Sequence, residues 1–161
     1  PSRRNPVTRA FSAFFAALLF AFGLNNAAAQ GAKGTAAEAT AMVEKAIAFI
    51  KKNGREKAFA EFNNKGGQFT DRDLYVFVYD MKGKVLSHGS NTKLIGKELA
   101  EIRDADGKYY VKERIEMLSK GPDAKGWQDY KYMNPVSRQI EPKTAYVHRH
   151  EDMIIGCGIY K

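Results

Sequence analysis

The feature that most constrains the fold is the run LYVFVY at residues 74–79, which alternates apolar, β-branched and aromatic residues without a polar face. A strand of this composition is covered on both sides, so the domain needs a layer on each face of its sheet. The turn at 80–83 and the run KVLSHG at 84–89 predict that the chain returns as the second strand of a hairpin. Three more strands are predicted, at 126–133, 143–148 and 153–160. Because short turns join them, we expect antiparallel pairing.

The remaining segments are predicted to be helical or to form loops. A long helix over 36–52 begins with the capping box Thr35 and Glu38 and has an apolar stripe. Shorter helices are predicted at 55–63 and 109–119, and a loop with one helical turn at 91–102. The expected fold class is therefore α+β: a five-stranded antiparallel sheet with a long N-terminal helix and short helices covering its faces. The last strand, rich in Gly and Ile, is expected near the centre of the sheet.

The N-terminus has the three parts of a secretory signal peptide. Arg3, Arg4 and Arg9 form a basic start, an apolar run covers 10–24, and Ala27 and Ala29 provide the small-x-small cleavage pattern. We predict cleavage after Ala29, with an uncleaved anchor as the alternative. The predicted organisation is a signal peptide at 1–29, a flexible start at 30–35 and one domain at 36–161. No second apolar run of spanning length follows, so we expect a periplasmic or secreted protein with no membrane span after cleavage.

Part of the basic charge belongs to this signal. It contains three of the 26 basic residues and none of the 18 acidic ones, which leaves 23 against 18 and a net charge of +5. The remaining lysines and arginines are scattered and form no basic stripe interleaved with Gly and aromatic residues. We therefore expect no nucleic-acid partner. A positive surface would still attract anionic ligands.

Several polar groups suggest chemistry but have simpler interpretations. Asp71 and Asp73 precede the first strand and are more typical of a turn than of an acid–base pair. The lone Cys157 lies in an apolar strand and is expected to be a buried small hydrophobe. The sequence has no Ser-His-Asp elbow, no phosphate-binding Gly loop and no Cys-x-x-Cys. We expect neither enzyme activity nor a cofactor.

One alternative in the enzyme class stays open. His148 and His150 fall on one strand face, and Asp152 follows them at a polar turn. Two imidazoles and a carboxylate could hold a metal ion, which would make the protein a metal-dependent or acid–base hydrolase. Surface histidines are the simpler interpretation, and we predict no metal.

The strands are dense in aromatic residues with polar tips. Flat apolar rings with a few convergent polar groups are typical of small-molecule pockets. The alternative is a filled core whose Tyr hydroxyls reach its rim, with the domain then serving a protein interaction. The candidate ligand-binding residues are Tyr75, Tyr79, His88, Asn91, Trp127, Tyr130, Tyr132, Lys143 and Tyr146.

Ordered motifs over nearly the whole predicted domain resemble the single Cache domain family. They include FTDRDLYVFVYD, LSHG, DGKY, GWQDY, PKTAYV and IGCGIY, together with Asn91, residues 94–97 and the Asn134-Pro135 pair. The resemblance implies an extracytoplasmic sensor with a PAS-like fold: a long N-terminal helix and an antiparallel sheet that cups a small metabolite, often a short carboxylate. Such domains usually occur on chemoreceptors and histidine kinases.

On this basis we expect Lys143 to supply the counter-charge for an anionic ligand. Tyr130, Tyr146 and His88 would donate hydrogen bonds, and Trp127 and Tyr79 would form the walls of the site. No signalling domain follows residue 160 in this sequence, so the expectation is a stand-alone binding module that presents its ligand to a membrane receptor or kinase.

Overall fold

The computed structural model describes residues 33–161, so the predicted signal peptide at 1–29 and the first half of the predicted flexible start lie outside the described residues. The described chain has three α-helices: α1 (Ala36–Asn53), α2 (Arg55–Phe62) and α3 (Tyr110–Leu118). A 3-10 turn at Thr92–Leu94 lies in the loop before α3. Its strands are β1 (Thr70–Asp71), β2 (Leu74–Asp80), β3 (Val85–His88), β4 (Lys125–Met133), β5 (Ile140–His150) and β6 (Met153–Tyr160).

The strands form one antiparallel sheet in the order β1-β2-β6-β5-β4, with β3 paired to the same edge of β2 as β1. The predicted α+β, PAS-like fold is confirmed, and β6 lies at the centre of the sheet as predicted. The two-residue strand β1 is an addition that the sequence did not indicate. Strands β2 and β6 are distant in sequence but pair with each other. The sheet therefore forms completely only when the C-terminal strand is present.

Helix α1 begins as the capping box predicts. The Thr35 hydroxyl accepts a hydrogen bond from the Glu38 N–H at 3.3 Å, and the Glu38 carboxylate accepts one from the Thr35 N–H at 2.8 Å. At the other end, Gly54 adopts φ 81°, a left-handed conformation that suits Gly and ends the helix. The apolar stripe of α1 packs with α2 on one side of the sheet. We call this side the helical face, defined by Val76, Val78, Tyr146, Ile155 and Cys157.

Cys157 lies on this helical face and is fully buried, which confirms its predicted role as a small core residue. Burial raises the pKa of its thiol to about 12, so the thiolate does not form at neutral pH. Among residues 33–161, no helix combines the length and apolar character needed to cross a bilayer.

The opposite side of the sheet is covered by α3 and by the loop that precedes it. Tyr110, Val111 and Leu118 of α3 pack there with Leu94 and Leu99 of the loop. We call this side the aromatic face, defined by Tyr75, Phe77, Tyr79, Tyr130, Tyr132 and Lys143. Both faces of β2 are thus buried, as its composition predicts.

Candidate functional site

Lys143 occupies the middle of the aromatic face and is only 1% exposed. Strand pairing places it opposite Tyr130 of β4 and Tyr160 of β6. Its ammonium nitrogen donates hydrogen bonds to the hydroxyls of Tyr75 at 2.7 Å and Tyr160 at 3.2 Å. The same nitrogen lies 4.1 Å from the centroid of the Tyr75 ring, a cation–π contact. Neutral oxygens and ring faces therefore surround this cation.

The Lys143 charge has no carboxylate partner within the described chain, where it forms no ion pair with Asp or Glu. Burial lowers its pKa from 10.5 to about 7, and the positive charge of Arg114 acts in the same direction. The negative charge of the Asp73 carboxylate acts against this shift. A buried ammonium without a partner is destabilising, and an incoming anion would compensate for it.

Arg114 of α3 is a second buried cation, also 1% exposed. Its Nε donates to the Gln128 side-chain oxygen at 3.0 Å, and the Gln128 amide donates to the Tyr110 carbonyl at 2.7 Å. Its guanidinium carbon lies 4.8 Å from the centroid of Phe77, the ring that Lys143 also approaches. One guanidinium nitrogen, Nη2, is buried and has no hydrogen-bond partner in residues 33–161. A buried donor without a partner lowers the free energy of unfolding unless a ligand accepts its hydrogen bond.

Arg114 was not among the candidates from sequence, although a signal for it exists. The predicted helix had Val111, Ile115 and Leu118 on its apolar side, and Arg114 lies three residues after the first and four before the last. Positions three and four apart share a helix face. A charged residue inside an apolar stripe is therefore the feature that could have identified it.

His88 lies beside the two cations and is 2% exposed. Its Nδ1 accepts a hydrogen bond from the Asn91 N–H at 3.1 Å, which places the ring proton on Nε2. That nitrogen lies 3.5 Å from the Tyr132 hydroxyl. Burial lowers the pKa of His88 to about 3, and the charges of Lys143 and Arg114 add to the shift. His88 is accordingly a neutral hydrogen-bonding group.

The tyrosines around Arg114 are neutral as well. Tyr130 stacks on Tyr110 with ring centroids 4.7 Å apart and planes 8° from parallel. Burial raises the pKa of Tyr130 to about 12 and also raises that of Tyr79, against the opposing charge of Arg114. These hydroxyls remain protonated and can donate hydrogen bonds to an anion.

The structure divides the nine candidate residues into two groups. Those brought together on the aromatic face are Tyr75, Tyr79, His88, Tyr130, Tyr132 and Lys143, with Asn91 at the loop beside them.

Trp127 and Tyr146 lie on the helical face instead. The Tyr146 hydroxyl donates to Glu44 of α1 at 3.2 Å, and the Trp127 ring, 41% exposed, packs against Tyr146 at 5.5 Å. Side chains alternate along a strand, so Tyr146, three positions after Lys143, points to the other side of the sheet. Trp127 pairs with Tyr146 across β4 and β5 and shares its side. The expectation that all nine line one site is therefore corrected: these two are separated from it by the sheet.

A groove of about 580 Å³ opens beside the aromatic face. Tyr75 and Tyr132 belong both to this groove and to the surroundings of Lys143. Other polar side chains along it include Thr70, Ser90 and Asn91. The groove and the surroundings of Lys143 therefore share two tyrosine walls, whereas the Lys143 and Arg114 side chains lie behind them and do not line the groove.

The residues of the alternative metal site have other partners. The His148 ring nitrogen Nδ1 lies 2.9 Å from the Glu44 carboxylate, and Asp152 is ion-paired with Arg55. No cluster of three or more His, Cys, Asp or Glu side chains suited to a metal ion occurs in residues 33–161. The described chain thus provides no support for the hydrolase interpretation.

The Asp71 and Asp73 pair has the predicted turn role. Asp71 pairs with Arg72 at 2.7 Å, and Asp73 accepts a hydrogen bond from the Gly34 N–H at 2.7 Å. The two carboxylates therefore fix the turn before β2 and the start of α1.

Two curated proteins share part of this sequence. The methyl-accepting chemotaxis protein McpP of Pseudomonas putida is 33% identical over 92 residues, which are 56% of this chain and 16% of that protein. The sensor histidine kinase MctS of Rhizobium johnstonii is 29% identical over 91 residues, or 55% of this chain and 19% of that protein. The chain thus spans less than a fifth of the length of either relative.

Solved structures share the fold. A methyl-accepting chemotaxis protein from Vibrio parahaemolyticus has a TM-score of 0.66 and 25% identity, covering 77% of this chain and 86% of the other. A periplasmic sensor domain of a chemotaxis protein has a TM-score of 0.61 at 23% identity, with 75% and 86% covered. A Cache chemosensory domain described for carboxylic acid recognition has a TM-score of 0.59 at 21% identity, with 75% and 84% covered. The Single Cache domain 2 family matches residues 21–161, and the chain therefore belongs to the single Cache domain family.

Proposed function

We propose that this domain binds a small carboxylate against the aromatic face of its sheet. The observation that carries the proposal is the pair of buried cations, Lys143 and Arg114, which form no ion pair with an acid in the described chain. Both cations lie over the ring of Phe77, so a single anion could reach both. Two buried positive charges without an acid partner destabilise the ligand-free domain, and a bound anion would offset that cost.

The surrounding groups suit a carboxylate in particular. A carboxylate has two oxygens that accept several hydrogen bonds, and charge-assisted hydrogen bonds are stronger than neutral ones. The Arg114 guanidinium nitrogen without a partner, the Lys143 ammonium and the Tyr hydroxyls supply donors from different directions. The aromatic rings between them would contact a short hydrocarbon tail. Neutral His88 adds a hydrogen bond without adding charge.

The comparisons support a sensory role for such binding. One neighbour in fold is described for carboxylic acid recognition, and the curated relatives are a chemotaxis protein and a sensor kinase. For this chain we infer a sensor domain outside the cytoplasm whose ligand state is transmitted to a receptor or kinase partner. Whether that partner is part of the same polypeptide or a separate protein does not affect the ligand site.

Isothermal titration calorimetry with acetate, propionate and butyrate tests the ligand class, with propionamide as an uncharged analogue. We expect an acid to bind and the amide not to bind. Lys143→Met should remove binding, whereas Lys125→Met, at an exposed position on β4, should retain it. The proposal fails if no acid binds the wild type at millimolar concentration, or if both variants bind like the wild type.

A further inference from the structure

We infer that the groove beside the aromatic face holds a second anionic group, so that the preferred ligands are acids with two carboxylates. This inference rests on the proposed carboxylate site: one carboxylate would lie at the buried cations and the other in the groove. It adds a second binding region to that site and narrows the class of ligand.

The groove and the buried site share walls. The Tyr75 hydroxyl accepts a hydrogen bond from Lys143, and the Tyr132 ring centroid lies 5.3 Å from the same ammonium nitrogen. Both tyrosines also line the groove. Its volume of about 580 Å³ falls within the range of pockets for ligands much larger than a two- or three-carbon acid. A ligand anchored at Lys143 would reach the groove by passing between these two tyrosine rings.

The groove carries positive charge only. Its lining includes four cationic side chains, those of Lys65, Arg72, Lys93 and Arg138. No Asp or Glu of residues 33–161 lines it. Arg72 is held by ion pairs with Asp71 and Glu38, which neutralise part of that side. Lys65, Lys93 and Arg138 form no ion pair within the described chain. Cations gathered around a concave surface raise the local potential and favour an anion there.

Two further features of the groove suit a polar ligand group. The Thr70 hydroxyl oxygen is buried and has no hydrogen-bond partner in the described chain, although hydroxyls at such positions usually have one. Arg138 has φ 61°, a left-handed conformation that is uncommon for residues other than Gly. Its N–H is fixed by the Asn134 carbonyl at 2.9 Å, so the turn holds Arg138 at the rim of the groove.

Comparing a diacid with the monoacid of the same number of carbons separates the contribution of the second carboxylate to affinity from that of the hydrocarbon chain. We would titrate the wild type with butyrate and succinate, and with pentanoate and glutarate, at fixed pH and ionic strength. At least one diacid should bind about tenfold more tightly than its matched monoacid, the size of effect that one added charge-assisted contact gives.

The double variant Lys93→Gln/Arg138→Gln should remove this preference while changing monoacid affinity by less than about twofold, since exposed charges act weakly at a distance. The control Lys57→Gln/Lys120→Gln makes the same change in net charge at exposed positions outside the groove and should keep the preference.

The inference is overturned if diacids bind no more tightly than monoacids in the wild type. It is also overturned if the groove and control variants weaken both classes of acid equally, which would indicate general attraction. Either result leaves the buried site intact, because monoacids would still bind in a manner that depends on Lys143. Absence of binding by every acid would instead remove the proposed function.

Discussion

The ammonium nitrogen of Lys143 lies 2.7 Å from the hydroxyl of Tyr75 and donates a hydrogen bond to it, where a buried lysine would ordinarily meet a carboxylate. The phenol is a neutral acceptor, since burial raises its pKa well above 10. The ammonium group of Lys143 is therefore hydrogen-bonded, but no negative charge in the described chain neutralises it. The proposed carboxylate site rests on this relationship, and several of its consequences can be measured.

Carboxylate affinity should depend on pH through Lys143. Its pKa of about 7 means that the ammonium form dominates below neutrality and is lost above it. A bound anion favours the charged form, so binding takes up a proton near and above pH 7 and affinity falls as pH rises, by up to about tenfold per unit. His88, with a pKa of about 3, does not titrate in this range.

Calorimetry between pH 5.5 and 9, in two buffers of different ionisation enthalpy, measures both the affinity and the proton uptake. A constant affinity across this range would contradict the assignment of the charge to Lys143. The variant Lys143→Arg, whose charge does not titrate, should give a flat profile if it still binds.

Lys143→Met should stabilise the ligand-free protein while it removes binding. The substitution takes away a buried charge without an acid partner, and such replacements are commonly neutral or stabilising by about 1–4 kcal/mol. Since the pKa of Lys143 is about 7 in the folded protein and about 10.4 when unfolded, wild-type stability should rise between these values. The advantage of the variant should therefore shrink from pH 6 to pH 9. Urea unfolding at both pH values measures it, and lower stability of the variant at both would disagree with the account.

Gly158→Ala should displace the lysine. A Cβ at this position would lie 2.4 Å from Lys143 Cε, and the Thr144 carbonyl and Ala145 at 3.0 and 3.1 Å leave little room for adjustment. We expect affinity to fall by more than about tenfold, with a loss of stability of about 1–3 kcal/mol from overpacking. Gly121→Ala is the control, because nothing lies within 4 Å of its added carbon. Equal affinities for the two variants would show that the lysine position is unimportant.

Gln128→Glu tests the second cation. The new carboxylate would take the place of the side-chain oxygen that accepts the Arg114 hydrogen bond at 3.0 Å and would neutralise the guanidinium. Ligand affinity should fall by about tenfold or more, and the Tyr110 carbonyl, which loses its amide donor and faces a carboxylate oxygen instead, should cost about 1–3 kcal/mol of stability. Calorimetry together with thermal unfolding separates these effects. Full binding in a folded Gln128→Glu protein would place the ligand away from Arg114.

Much of the fold follows from local sequence. The capping box at Thr35, the stop at Gly54 and the apolar composition of β2 each reflect short-range rules and are found as predicted. The start of β5 is an exception: the strand begins at Ile140 and runs through Pro142, whereas the predicted strand began only at Lys143. Pro142 lacks an N–H, but its carbonyl accepts a hydrogen bond from the Lys161 N–H at 2.9 Å, so it still pairs on one side.

The site was only partly predictable, because it is assembled from distant segments. Alternation along β5 already separates Tyr146 from Lys143, so that assignment could have been avoided. Alternation along β4 separates Trp127 from Tyr130 in the same way, and only the register that places Tyr130 opposite Lys143 had to come from the folded sheet. Arg114 is brought to the aromatic face by the packing of α3 and by Gln128, a contact across 14 positions of sequence.

The most direct test of the central claim is a crystal structure of the protein with bound propionate at about pH 6. We expect carboxylate density on the aromatic face, with its oxygens within hydrogen-bond distance of Lys143 Nζ and of the Arg114 guanidinium. Density on the helical face beside Trp127 and Tyr146, or a Lys143 that keeps its two Tyr partners with no ligand near it at saturating propionate, would contradict it.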